Sequence, residues 1–147
     1  MLKSISLEKV PGSDADLRET LVEANLPIED LEDDHRTFYR ACSLSGDVIG
    51  YAGIEDCGDD VMLRSVTVRA EHRGRGMGRL LVETTLREAG SAREVYLATT
   101  TAARFFAGIG FREVLRTDLP PAVLATRQLS SICPSSATIM KLARPQT

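Results

Sequence analysis

No stretch of the chain approaches the roughly 20 consecutive apolar residues that cross a bilayer. The opening "MLKSISLEKV" also lacks the apolar core of a secretion signal. No membrane partner is expected, and the chain reads as soluble and cytoplasmic. An excess of positive charge is missing too: 18 Lys and Arg against 21 Asp and Glu leave a net charge of −3, mixed along the chain. A nucleic-acid binder needs a basic field. Nucleic acid is therefore not expected as a partner, and the basic cluster of Arg69, Arg73, Arg75 and Arg79 is a local feature. Cysteine is scarce and odd in number. Cys42, Cys57 and Cys133 contain no C-x-x-C pair, which argues against a disulfide framework and against a zinc site. No metal is expected, although three thiols converging in space would suit a soft metalloid. Repeats, low-complexity tracts and linkers are likewise lacking. The expectation is one compact domain over residues 1–147, long enough to bury roughly two thirds of its unfolded surface.

What the chain does contain is a clear alternation of strand and helix patterns. "KSISLEKV" alternates Ile5 and Leu7 with polar residues, as a half-buried strand does. "SDADLRETLVEA" reads as a helix capped by Ser13, with Asp16 three residues on and an apolar stripe of Leu17, Leu21 and Ala24. "NLPIEDLEDDHR" offers at most a short turn, its acids forming a solvated face. "TFYRACSL", "VIGYAGIE" and "VMLRSVTV" are strands joined by Gly- and Asp-bearing turns, hence an antiparallel meander. From Gly76 the period becomes helical, with Met77, Leu80, Leu81, Thr84 and Glu88 on one stripe, its apolar members forming the buried part, and Gly90 as the stop. "EVYLATT" is a strand, "AARFFAGIG" a short helix ended by Gly110, and "FREVL" a strand. A proline-initiated helix, a loop and a last strand at residues 137–142 complete the chain. The sum is an α/β fold: a mixed, mostly antiparallel sheet of about seven strands flanked by three or four helices.

The sharpest local signal is "RGRGMG", residues 73–78, between a strand and a helix. A helix N-terminus presents unpaired N–H groups and about half a positive charge, and glycine removes the Cβ that would keep an anion away. The pattern points to a phosphate. Walker spacing fails, because Gly78 is followed by Arg79 and Leu80, and G-x-G-x-x-G spacing fails as well.

At these residues the chain resembles the GNAT N-acetyltransferases, whose acyl-CoA signature is Arg or Gln, two residues, Gly, one residue, Gly or Ala, between the fourth strand and the next helix. Arg73, Gly76 and Gly78 fill that pattern, and "TTTAARFFAGIGF" looks like the family's next block, ending in Gly110 and Phe111. The order of elements follows the family over nearly the whole chain. The tail "ATRQLSSICPSSATIMKL" resembles a subgroup associated with arsenic resistance, some of whose relatives acetylate organoarsenical or phosphinic amino acids.

The resemblance implies the GNAT fold, acetyl-CoA as cosubstrate and a small-molecule primary amine as acceptor, acetylated by direct attack. It places the diphosphate on Arg73, Gly74, Arg75, Gly76, Met77, Gly78 and Arg79, and the pantetheine arm between the fourth and fifth strands, along Val66, Val68, Thr99, Ala102 and Phe106. The oxyanion donor falls on the backbone N–H at or beside Val68, and Glu55, at the end of the third strand, is the candidate base. Arg64 and Arg127 are candidates for binding an anionic group of the acceptor, and in the arsenic-linked subgroup Arg127 and residues 130–133 would border its pocket. Two residues depart from the family: Phe106 stands where a tyrosine commonly protonates the leaving thiolate, and Thr99 where an asparagine contacts pantetheine. Those departures keep other readings open, namely a CoA-binding or thiol-based metalloid-binding regulator without turnover. Acetylation of a protein or peptide amine is a further alternative. A homodimer through the last strand is compatible with such folds.

Overall fold

The computed structural model describes residues 5–90, 93–132 and 136–143. Its strands are β1 (Ile5–Val10), β2 (Arg36–Ser43), β3 (Val48–Cys57), β4 (Asp60–Val68), β5 (Glu94–Thr99), β6 (Phe111–Glu113) and β7 (Thr138–Leu142). The helices are α1 (Ala15–Glu23), α2 (Met77–Ala89), α3 (Ala103–Ile109) and α4 (Pro121–Leu124). The strands form one seven-stranded sheet in the order β1-β2-β3-β4-β5-β7-β6, flanked by helices. It is mixed: β1 with β2, β2 with β3, β5 with β7 and β6 with β7 are antiparallel, whereas β4 and β5 are parallel. None of the described helices is long and apolar enough to cross a membrane.

The chain divides into two compact units, Met1–Glu55 with Leu63–Ser91, and Asp56–Met62 with Ala92–Thr147. In the first, Leu17 and Leu21 of α1 pack with Leu31, Phe38 and Tyr51, while Leu81 of α2 packs with Ala41, Ile49 and Ala52. In the second, Met62, Tyr96 and Ile139 of the sheet pack with Leu119, Val123 and Leu129. The β4–β5 register within this unit runs from Asp60↔Glu94 to Met62↔Tyr96.

Several local expectations need correction. The cap of α1 is Asp14, not Ser13: its Oδ2 accepts from the Leu17 N–H at 2.9 Å, and a carboxylate there also meets the helix dipole. The buried stripe of α2 is Leu81, Val82, Thr85 and Ala89, with Met77 and Leu80 only half-buried, and Thr84 satisfies its hydroxyl on the Leu80 carbonyl. The acids after α1 do not all form a solvated face, because Asp30 is completely buried. Residues 128–132 make a wide helical turn where a loop was expected. Gly90 and Gly110 end α2 and α3 with positive φ, as glycine permits.

Candidate active site

β4 delivers the chain to the site through an interruption. Ser65, in mid-strand and nearly buried, has φ +58°, a left-handed conformation that re-aims the residues after it. Beyond it, Thr67 is buried and Val66 and Val68 half-buried. Val68 is fixed from two sides: its carbonyl accepts from Arg73 Nε at 2.9 Å, and the neighbouring Arg69 N–H donates to the Ile49 carbonyl at 2.8 Å.

A short helical turn, Ala70–His72, leads into the glycine loop. Gly74 and Gly76 both have positive φ, +79° and +74°, and Gly76 is the N-cap of α2. No side chain caps this helix and no acid lies in its first turn, so neither the dipole nor the first N–H groups have a partner from the cap. The first intrahelical bond is Leu80 N–H to the Gly76 carbonyl, which leaves the N–H groups of Met77 and Gly78 ahead of the ladder. The space over the glycines is open: an ideal Cβ on Gly74 or Gly76 would meet nothing within 4 Å. Arg73, Arg75 and Arg79 are exposed around this opening, and Arg79 also pairs with Glu83 one turn on, at 3.2 Å. Bare amides, a positive dipole end and guanidinium groups fit the diphosphate of CoA.

Beside Val68 lies a cleft of about 300 Å³, walled by Thr20 and Glu23 of α1 and the following Ala24, by Thr67 and Val68, and by Arg69, Glu71 and Arg73 in and around the following turn. Arg69 is tethered to Asp16 of α1, and Asp16 also accepts from the hydroxyl of the fully buried Tyr51. Tyr51 accepts in turn from Arg40 Nε at 3.0 Å, and Arg40 reaches Asp14 at 2.9 Å. The Tyr51 hydrogen bond holds the Asp16 carboxyl below the usual carboxylate range against partial burial, with Arg69 adding its bond and charge. Burial, and then the bond to Asp16, push the Tyr51 phenol up.

Two residues assigned chemical roles in the sequence lie together in a buried ionic quartet. Arg64 donates to both oxygens of Asp30 at 2.6 Å and to Glu55 Oε1 at 3.2 Å. Arg36 completes the set, reaching Asp30 Oδ2 and, at 3.3 Å, Glu55 Oε2. Arg64, expected to bind an acceptor anion, instead has its guanidinium taken by carboxylates of the protein itself, with its side chain only 2% exposed. Glu55, the expected base, is buried with each oxygen facing a guanidinium, so its placement is that of a charge partner. Burial raises the Asp30 carboxyl, but the bond and charge of Arg64 and the charge and bond of Arg36 more than offset this, and it lies below the usual range.

In the second unit, the Thr99 hydroxyl accepts from the Ala102 N–H at 3.0 Å, and Ala102 is the N-cap of α3. Phe106 is buried edge-on between Phe105 and Phe111. Arg127 is exposed. Cys42 and Cys57 are half-buried, and Cys133 lies outside the described residues. Sequence spacing singled out the glycine loop, and the family resemblance Val68; neither signalled the bonded set of Asp14, Asp30, Arg36, Arg40 and Tyr51, nor the partners of Asp16, because these partners are distant in the chain.

The acetyltransferase (GNAT) domain model matches residues 32–113, more than half of the chain. No curated protein matches. Among solved structures, the chain is similar to a GNAT-family acetyltransferase of Staphylococcus aureus Mu50, with TM-score 0.63 and 19% identity over 95% of this chain and 98% of that one. It is also similar to the SpeG spermidine N-acetyltransferase of Vibrio cholerae, as an F149G mutant, with TM-score 0.64 and 14% identity over 94% and 92% of the two chains. The N-acetylglutamate synthase of Neisseria gonorrhoeae, solved with coenzyme A and N-acetyl-glutamate, aligns with TM-score 0.72 and 17% identity over 98% of this chain and 36% of its own. These likenesses carry the fold and the domain match carries the family: the chain belongs to the GNAT family and is an acetyl-CoA-dependent N-acetyltransferase.

Proposed function

We propose that this chain acetylates a primary amine of a small, amino-acid-like molecule by direct attack. The observation that carries the reading is the uncapped start of α2, where Gly76 in a left-handed conformation exposes the amides of Met77 and Gly78 beside three arginines. Those amides hold the diphosphate, with Arg73, Arg75 and Arg79 balancing its charge. Bound acetyl-CoA supplies an activated thioester carbonyl. The Val68 N–H is the donor for its oxygen as negative charge develops there. The acceptor occupies the cleft beside Val68, whose walls carry charges of both signs, Glu23 and Glu71 against Arg69 and Arg73. Such walls suit a molecule with both an ammonium and an acidic group. The ammonium must shed a proton before attack, and Glu23 and Glu71 are the exposed carboxylates of that cleft. The likeness of the tail to the arsenic-linked subgroup supports including organoarsenical and phosphinic amino acids among acceptors.

A second reading rests on Phe106, which has no hydroxyl to donate to a departing thiolate: a CoA-binding regulator without turnover. One experiment separates the two. Calorimetric titration with CoA measures binding, and Gly76→Val, which forces a branched side chain into a positive φ, weakens it at least about tenfold, or roughly 1.4 kcal/mol. Acetyl-CoA is then offered with amino acids, phosphinic and organoarsenical amino acids, polyamines and peptides, and free thiol is followed. Release with an amino-acid-like acceptor supports the proposal. Saturable binding with no release from any acceptor favours the regulator, and equal affinity in Gly76→Val removes the anion loop.

A further inference from the structure

A left-handed residue inside a strand persists only where its surroundings over-determine it. Ser65 is such a residue, and it separates two tightly held segments of β4. On its C-terminal side, Thr67 and Val68 pass so close to Gly50 that no Cβ fits between them, and Val68 is bonded by Arg73. On its N-terminal side stands Arg64, immobilised by two 2.6 Å bonds to Asp30 and one of 3.2 Å to Glu55. Its guanidinium carbon lies 5.6 Å from the centre of the Phe38 ring, and its Nε faces the Ser65 hydroxyl at 3.4 Å. The absence of a side chain at Gly53 makes room for both Phe38 and the Arg64 stem, since an added Cβ there would lie 2.7 Å from the ring and 3.3 Å from Arg64 Cγ.

A planar guanidinium held bidentately fixes direction as well as distance. Asp30 lies in the segment between α1 and β2, and Glu55 on β3, so the quartet ties the backbone just before the kink to two other parts of the unit. We propose that Arg64 is a positioning residue: clamped by Asp30 and Glu55, it holds the kink at Ser65 and thereby aims the Val68 N–H at the thioester oxygen. The assignment rests on the proposed role of Val68. It gives the buried quartet a task besides stability, because a donor is useful only when held along the direction in which charge develops.

The test uses full-length protein labelled with [15N]valine. In the wild type, the Val68 amide resonance differs between the CoA-bound and acetyl-CoA-bound forms, because only the latter brings a carbonyl oxygen. The double variant Arg64→Met/Asp30→Leu removes one buried charge of each sign and leaves Arg36 facing Glu55. It binds both ligands within about threefold of the wild type, while the Val68 difference falls below half. Arg64→Lys, which keeps a buried positive charge but cannot grip Asp30 with a planar fork, gives the same loss even if the double variant does not fold. A full Val68 difference in a folded, ligand-binding variant overturns the positioning role. Absence of that difference in a wild type that binds both ligands overturns it too, by removing Val68 as donor. Failure of the wild type to bind CoA at all overturns the proposed function instead.

Discussion

Gly50 and Thr67 approach each other so closely that a Cβ on the former would fall 1.9 Å from the carbonyl oxygen of the latter and 3.0 Å from the Val68 Cα. Backbone, unlike a flexible side chain, cannot turn away. Gly50→Ala must therefore push β3 and the end of β4 apart, breaking the approach that seats Val68. The expected cost is about 1–3 kcal/mol, read as a lower urea midpoint at unchanged slope. CoA affinity should fall as well, because Val68 leads directly into the glycine loop. A variant as stable as the wild type would mean that the two strands separate freely.

Two glycines should respond oppositely to the same substitution. Gly76 caps α2 with φ +74°, where alanine is strained even though its Cβ would meet nothing. Gly76→Ala is expected to lower stability by about 1 kcal/mol. Gly108 lies within α3, is exposed, has no positive φ, and an added Cβ there would meet nothing within 4 Å. There alanine removes unfolded-state freedom and improves helix propensity, so Gly108→Ala should add about 0.5–1 kcal/mol. Paired chemical denaturation measures both. Equal signs would show that the φ at position 76 is not what selects its residue.

Tyr51 connects β3 to α1 through a single hydroxyl that donates to Asp16 and accepts from Arg40. Tyr51→Phe keeps the ring and removes both bonds, at an expected cost of about 1–3 kcal/mol at neutral pH. The cost should depend on pH. The Asp16 carboxyl is depressed, chiefly by the Tyr51 bond, so its stabilising contribution is present above the ordinary value near 3.9 and disappears as pH falls through its lower native value. Wild type and Tyr51→Phe should therefore converge in melting temperature below about pH 4. A constant gap down to pH 2 would assign the loss to packing instead.

How much of this was legible in the sequence divides along one physical line. Where the determinant is local, the chain announces it: alternation gave the strands, Gly90 and Gly110 marked helix ends, and Gly76 marked the start of α2. Where the determinant is a partner far along the chain, spacing is silent. Asp30 looked like one more solvated acid because Arg64, 34 residues away, is invisible to a local window. The same blindness offered Arg64 to a substrate and Glu55 to catalysis, whereas folding joins them in one buried quartet. Asp14 displaced Ser13 as cap for a related reason, since Arg40 on β2 rewards a carboxylate at that position. Nothing in "LRSVTV" signals that Ser65 has a positive φ, because serine has no intrinsic preference for it and the conformation is imposed by neighbours.

Asp30 offers the most direct test of the quartet as a stabilising element. It is fully buried, and its two oxygens meet Arg64 and Arg36. Asp30→Asn keeps the shape but leaves two guanidinium groups with Glu55 as the remaining carboxylate of the quartet, a net buried positive charge. Breaking such a set from one side is expected to cost about 3–5 kcal/mol at pH 7. The sign with pH follows from the direction of the shift. A carboxyl depressed in the native state stabilises above its unfolded value near 3.9, and that contribution is lost as pH falls through the native value. Urea midpoints measured from pH 7 to pH 3 should decline in the wild type chiefly below about pH 4 and decline less steeply in Asp30→Asn. The two curves should approach each other at the acid end. Parallel curves would show that the acid sensitivity of the fold arises at other carboxylates, and a fully stable Asp30→Asn would show that the quartet is not needed to hold the segment after α1 against β4.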